Sequence, residues 1–155
     1  MAIRKLATLK SFDIPDEHYP PDYDEKGNKI TRHLTVKMAT AGARRNINTY
    51  FYDNGVTGIL TYQLVQLWAA FEECDIQGQD PVRNDIGEVV YDENGEVAYQ
   101  APQPMFKKNM TVNEFTQVCD TLSPGFIAWM LEKVYELNPD WDVNAPNPTK
   151  ESSAQ

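Results

Sequence analysis

Two helix start signals near the C-terminal end constrain this chain more than any other feature. Thr111 and Glu114 have the spacing of a capping box, in which each side chain accepts the other residue's backbone amide. Ser123 followed by Pro124 is typical of an N-cap with proline at the first helical position, where an amide is not needed. Together they predict a helical hairpin. Its two helices are expected over residues 111–122 and 124–137.

Apolar residues recur at helical spacing in both arms of this hairpin and in one earlier segment. The earlier segment predicts a third helix over residues 57–74. Each of the three helices has an apolar stripe that must be buried against another element. The stripes consist of Leu60, Leu64, Leu67, Trp68 and Phe71 in the first helix, Phe115, Val118, Cys119 and Leu122 in the second, and Ile127, Met130, Leu131, Val134 and Leu137 in the third.

Three further segments are predicted to form strands, because they alternate or are rich in β-prone side chains. They are residues 3–12, 31–38 and 47–53. We therefore predict an α+β fold in which a small antiparallel sheet packs on three helices. A single domain is expected over residues 1–141. The polar composition of residues 142–155 predicts a disordered tail.

A β-hairpin is predicted within residues 88–99. Its turn is expected at Asp92-Glu93-Asn94-Gly95, since Asn-Gly between β-prone arms favours a tight turn in which both residues adopt positive φ. The segment is highly charged, and we expect it to project into solvent. No internal repeat is evident along the chain.

Charge is divided unevenly along the chain, which has a formal net charge of −9. Residues 1–50 carry nine Lys or Arg and six Asp or Glu, whereas residues 51–155 carry five and seventeen. The acidic part should repel nucleic acids and anionic membranes and suits a basic protein partner, or it serves solubility alone. We find no secretory signal and no apolar run of the length that spans a bilayer, so we expect a reducing cytoplasm, with no membrane and no nucleic acid bound.

No catalytic or metal-binding pattern is recognisable. The start of a calcium loop at Asp22 and Asp24 is followed by Lys26 and His33, where the loop needs oxygen ligands. The two cysteines and two histidines lack the paired spacing of a zinc site. Cys119 lies on an apolar stripe and is expected in the core. We predict no enzyme activity, cofactor or metal; if the chain were an enzyme, Cys119 and His33 would be the residues to test.

Apolar and aromatic side chains on the predicted helices are candidates for binding a protein partner, since tryptophan is enriched at binding anchors. For two tryptophans a packing role remains open as the alternative to binding. Trp129 would complete a wide core face, and Trp141 would fold back as a plug at the end of the last helix. The candidate partner-binding residues are Leu64, Trp68, Phe126, Trp129, Leu131 and Trp141.

The segment from Met110 to Phe115, with the region that follows it through Leu137 to Trp141, resembles the C-terminal region of tail assembly chaperones of long-tailed bacteriophages. The resemblance covers about residues 50–141 in the order and character of its elements. It implies a non-enzymatic assembly factor in the host cytoplasm. Its expected partners are the tape measure protein and the tail tube subunits, and a second copy of this chain in a homo-oligomer is a further candidate partner. The family has no catalytic residues to carry over.

Two other functions agree with the same sequence. One is a structural virion protein, such as a tail or head–tail component, which would assemble into a ring or tube. The other is an acidic inhibitor of a host nucleic-acid-binding protein, whose binding would depend strongly on salt.

Overall fold

The fold is α+β, as predicted, in a computed structural model that describes residues 8–54 and 59–142. Four α-helices and a short 3₁₀-helix occur in this part of the chain, together with seven short strands. The helices are α1 (Ala41–Asn54), α2 (Ile59–Ala70), α3 (Val112–Cys119) and α4 (Pro124–Leu137), followed by the 3₁₀-helix Pro139–Trp141. The strands are β1 (Leu9–Asp13), β2 (Asp22–Tyr23), β3 (Lys29–Ile30), β4 (His33–Lys37), β5 (Phe71–Cys74), β6 (Gln77–Gly78) and β7 (Gln103–Pro104).

A three-stranded antiparallel sheet in the order β1-β4-β5 forms the centre of the fold. Strand β4 lies in the middle and alternates as its sequence predicts: Leu34 and Val36 are fully buried, and His33, Thr35 and Lys37 are half-buried. Helix α4 packs against β4. The buried face of the sheet and the apolar faces of α2, α3 and α4 thus form one hydrophobic core.

The C-terminal helical hairpin has both predicted caps. Thr111 Oγ1 accepts the Glu114 amide at 3.2 Å, and Glu114 Oε1 accepts the Thr111 amide at the same distance, which completes the capping box. Ser123 Oγ accepts the Phe126 amide at 3.2 Å. The second helix begins at Pro124 and ends at Leu137, as predicted, whereas the first ends at Cys119, three residues earlier than expected.

We expect each cap to contribute separately to stability. Replacing Thr111 or Ser123 with alanine removes the side-chain acceptor and should lower the free energy of unfolding by about 1 kcal/mol in each case. Urea denaturation followed by circular dichroism measures this loss. Thr31→Ala, at an exposed position between β3 and β4, is the matched control. An unchanged midpoint for both cap variants would contradict the assignment.

The predicted strand over residues 47–53 is wrong, because these residues lie in helix α1. Tertiary packing overrides their β propensity. Ile47 is buried in the core, and the ring of Phe51 stacks on that of Tyr62 with centroids 5.1 Å apart. The helix also has a cap that the sequence analysis missed: Thr40 Oγ1 accepts the Ala43 amide at 3.2 Å.

The predicted helix over residues 57–74 is correct only in part. Helix α2 ends at Ala70, and Phe71–Cys74 forms strand β5 at the edge of the sheet. Its register pairs Cys74 with Leu34 and Phe71 with Val36, with an irregularity between them. Strand pairing with β4 therefore determines the conformation of a segment whose composition also suits a helix.

An arm of the chain, residues 79–102, leaves the core between β6 and β7. These two strands pair in antiparallel register. Glycine at position 78 leaves room for the Met105 side chain, because a β-carbon at this position would lie 3.1 Å from Met105 Cγ. Beyond them, three short segments form a cycle of backbone hydrogen bonds at 2.8–2.9 Å. The Val82 amide donates to the Ala98 carbonyl, the Ala98 amide donates to the Val90 carbonyl, and the Val90 amide donates to the Val82 carbonyl. The arm is thus a closed triangle of extended segments.

Two turns of the same kind connect the segments of the arm. Asn84 Oδ1 accepts the amides two and four residues further on, and Asp92 Oδ1 does the same, at 2.8–3.1 Å. Gly87 and Gly95 each follow three residues later with φ of 85° and 77°, a backbone region that favours glycine. The predicted turn at residues 92–95 is present, but the arm has an eight-residue repeat that the sequence analysis missed.

Buried Asn138 connects the end of α4 to the sheet. Its Oδ1 accepts the Ala39 amide at 2.7 Å, and its Nδ2 donates to the carbonyls of Lys37 at 3.2 Å and Val134 at 3.0 Å. The side chain is 2% exposed, and each of its polar atoms has a partner. One residue therefore fixes helix α4 against the chain between β4 and α1.

Two predictions fall on chain that the structure does not describe. Residues 3–7 of the first predicted strand lie outside the described residues, and the observed strand is Leu9–Asp13. Of the predicted disordered tail, residues 143–155 lie outside the described residues. The extent of a single domain stays a prediction.

Candidate protein-binding groove

An open groove of about 690 Å³ lies beside the edge strand β5. The start of helix α1 forms one end of the groove, and the segment between β7 and α3 forms the wall that faces β5. A smaller cavity of about 160 Å³ continues it along the strand to Asp75 and Phe106. The two cavities together follow the whole outer edge of β5.

Aromatic side chains form the floor of the groove. The rings of Phe71, Phe106 and Phe115 pack on one another with centroids 4.8–5.5 Å apart. Trp68 lies next to them and is half-buried, and its indole N–H donates to the Met110 carbonyl at 2.9 Å. This hydrogen bond fixes the ring. Phe106 and Phe115 are 7% and 1% exposed, so the apolar surface that the groove offers comes from the half-buried rings of Trp68 and Phe71.

The groove opens where two paired strands separate. Strand β6 pairs with β7, and the Met105 amide still bonds the Ile76 carbonyl at 3.2 Å. The chain then turns away from β5, because Phe106 is drawn into the core and is 7% exposed. The outer edge of β5 consequently has no neighbouring strand among the described residues.

Charges of opposite sign line the two walls. Glu72 and Glu73 are exposed on β5, and Lys107 and Lys108 are exposed on the opposite wall. Lys37 lies at the end nearest α1. None of these five side chains forms an ion pair with another residue that the structure describes, although eight such contacts occur elsewhere. Their charges remain available to a ligand.

The structure separates the six predicted partner-binding residues into three sets. Trp68 lines the groove, whereas Leu64 and Trp129 are half-buried and pack against the core at other places. The other three are buried and serve packing; they are Phe126, Leu131 and Trp141. The sequence analysis missed the lysines of the groove wall and the edge strand, because the predicted helix covered β5.

Trp141 is the plug that the sequence left as an alternative. It is 7% exposed, its ring lies under the Arg44 guanidinium at 5.7 Å, and its carbonyl accepts Gln66 Nε2 at 3.2 Å. Arg44 also pairs with Asp140. These contacts fix the end of α4 against α1 and α2.

Neither cysteine is suited to act as a nucleophile. Burial, with smaller effects from neighbouring charges, raises the pKa of Cys74 to about 12 from 9.0. Burial does the same for Cys119, whose pKa is also about 12, with Asp120 and Cys74 adding to the shift. The thiolate is the reactive form, and both side chains are therefore inert near neutral pH in the folded protein.

Thiol labelling should report this burial. At about pH 8 a thiol reagent should label both cysteines only as fast as the protein unfolds, and urea should accelerate the reaction. In the folded protein the pKa of each thiol is about 12, against 9.0 in the unfolded chain. The contribution of the buried, protonated thiols to the free energy of unfolding is therefore complete below pH 9.0 and is lost as the pH rises from 9.0 towards 12. Rapid labelling of the native protein at pH 8 would contradict this account.

His33, the other residue considered for catalysis, lies between two carboxylates on the open face of the sheet. Its Nε2 is 3.2 Å from Asp13 Oδ1, and its Nδ1 is 3.5 Å from Asp75 Oδ2. Both ring nitrogens thus face acidic groups. Within the part of the chain that the structure describes, no group of three or more His, Cys, Asp or Glu side chains is placed to hold a metal ion.

The chain matches no protein-family model, no curated protein and no solved structure. Of the helices in the described ranges, none has the length and apolar character needed to cross a membrane.

Proposed function

We propose that this protein is a non-enzymatic assembly factor of bacteriophage tails, which binds the tape measure protein and the tail tube subunits in the host cytoplasm. The groove beside β5 is the observation that carries the proposal. It combines a rigid aromatic floor with charged walls that have no ion-pair partner among the described residues, which is the chemistry of a surface that binds protein.

The distribution of charge supports a binding role for an aggregation-prone client. The arm carries six acidic side chains and one basic one, so it holds a net −5 of the total −9. It also stands apart from the core, since none of its side chains belongs to the core cluster of the described residues. A chaperone needs an apolar contact surface and a charged exterior that keeps the complex in solution.

A structural virion protein is the second candidate, and one observation favours it. Within the described residues, both outer strands of the sheet, β1 and β5, lack a neighbour on one side. Open sheet edges allow successive copies to join. Presence in the finished particle would distinguish this function from that of a chaperone, which is released before the tail is complete.

Reversing the charge of the groove wall should weaken binding of the tape measure protein. The double variant Lys107→Glu with Lys108→Glu leaves the core unchanged, because both side chains are exposed. Each lost ion pair contributes up to about 1 kcal/mol at an exposed site, so we expect an affinity about tenfold lower. Titration calorimetry measures the affinity, and light scattering measures how well each protein suppresses aggregation of the tape measure protein.

The matched control is Lys10→Glu with Lys26→Glu, which changes the net charge equally at exposed positions outside the groove. This variant should bind as the unmodified protein does. Equal losses in both variants would show that overall charge governs binding. If the unmodified protein neither binds the tape measure protein nor slows its aggregation, the proposed function is wrong.

A further inference from the structure

The outer edge of β5 presents backbone groups to the groove. The Asp75 amide bonds the His33 carbonyl on the β4 side at 3.3 Å, whereas the Ile76 carbonyl accepts the Met105 amide on the other side at 3.2 Å. Peptide groups of successive strand residues point to opposite edges. The amide and carbonyl of Cys74 therefore point away from β4, into the smaller cavity that Phe106 and Lys107 line.

We infer that the partner enters this groove as an extended strand that pairs with the outer edge of β5. This inference rests on the proposed function only in that the groove binds protein. The occupant is a segment of a partner protein with apolar side chains at alternate positions and with charges of both signs between them. It takes the place that β7 leaves when the chain turns away at Met105.

Charge complementarity identifies this chemistry. A strand between the walls has Glu72 and Glu73 on one side and Lys107 and Lys108 on the other. Side chains on its outward face therefore need a basic group within reach of the glutamates and an acidic group within reach of the lysines. Its apolar side chains, every second residue, point to Phe71 and its neighbours on the floor. A segment with one sign of charge would be repelled by one of the two walls.

Backbone chemistry favours a strand over a helix in this place. A helix satisfies its own amides and carbonyls and would cover the Cys74 peptide group without bonding it. A buried polar group without a hydrogen-bond partner is unfavourable, because it has lost its hydrogen bonds to water. An added strand bonds that group and extends the sheet by one member, which is how extended peptides bind exposed sheet edges.

A library of random twelve-residue peptides tests the inference without any phage protein. Displayed peptides are selected on the unmodified protein and counter-selected on the Lys107→Glu, Lys108→Glu variant. We expect the enriched peptides to carry apolar residues at every second position and charges of both signs. In the complex, nuclear magnetic resonance should show contacts between the peptide backbone and the backbone of residues 72–74.

Three results would overturn the inference: no enrichment, apolar residues spaced three and four apart as on a helix, or a bound peptide without backbone contacts to β5. Binding of the tape measure protein is measured separately. If peptides bind as strands and the tape measure protein does not bind, the proposed function fails while the mode of binding stands. If the tape measure protein binds and the peptides give any of the three contrary results, the proposed strand pairing is wrong while the proposed function stands.

Discussion

Replacing Phe115 with alanine is expected to lower the free energy of unfolding by about 3–5 kcal/mol. The side chain is 1% exposed and is among the largest fully buried residues. Its ring contacts those of Phe71 and Phe106, so its removal leaves a cavity between helix α3, strand β5 and the segment that follows β7. Because small domains are stable by only about 5–15 kcal/mol, this variant should approach the limit of folding.

Urea denaturation measures the loss, and Tyr52→Ala is the control. Tyr52 is also aromatic and lies on a helix, but it is 91% exposed and should change stability by less than about 0.5 kcal/mol. The floor of the groove is part of the core, so peptide binding should weaken together with stability. A loss below about 1 kcal/mol for Phe115→Ala would mean that the aromatic cluster is not packed as described.

Replacing Asn138 with alanine is expected to destabilise the protein by about 2–3 kcal/mol, the second large effect. The substitution leaves the Ala39 amide without its acceptor and the Lys37 carbonyl without its donor, at a position that is 2% exposed. Thermal unfolding and urea denaturation both measure the change. The loss should appear at every pH between about 5 and 8, since an amide side chain does not titrate.

Two further variants examine the role of Asn138. Asn138→Asp keeps an acceptor for Ala39 but turns a second acceptor towards the Lys37 and Val134 carbonyls, so it should be at least as destabilising as alanine. Asn48→Ala, at an exposed position of α1, should have little effect. Equal stability of Asn138→Ala and Asn48→Ala would show that the buried hydrogen bonds contribute nothing.

Local signals in the sequence predict much of the fold where they act within a few residues. The caps at Thr111 and Ser123 place the helical hairpin correctly, and alternation places β4. The two errors arise where distant contacts decide. Residues 47–53 form a helix because Ile47 enters the core, and Phe71–Cys74 forms a strand because β4 is beside it. A threonine cap at Thr40, of the same kind as at Thr111, was the available signal for α1.

The candidate site was less predictable than the fold, because it depends on where strands separate. Trp68 was identified from its place on an apolar helical face, and it does line the groove. The wall formed by Lys107 and Lys108 follows from the departure of the chain from β5 after Met105, which no local pattern reports. Three of the proposed residues, Phe126, Leu131 and Trp141, are buried instead. Amphipathic spacing alone does not distinguish a face that binds a partner from one that completes the core.

The pairing of β6 with β7 has a consequence for how the length of this protein can vary in evolution. The chain leaves the core at Gly78 and returns at Gln103, its direct partner across the strand pair. Paired strands lie about 5 Å apart, so the two ends of the intervening stretch are as close together as the ends of a short turn. Such a junction tolerates the gain, loss or exchange of a module, and the length of the protein can vary there while the hydrophobic core keeps its shape.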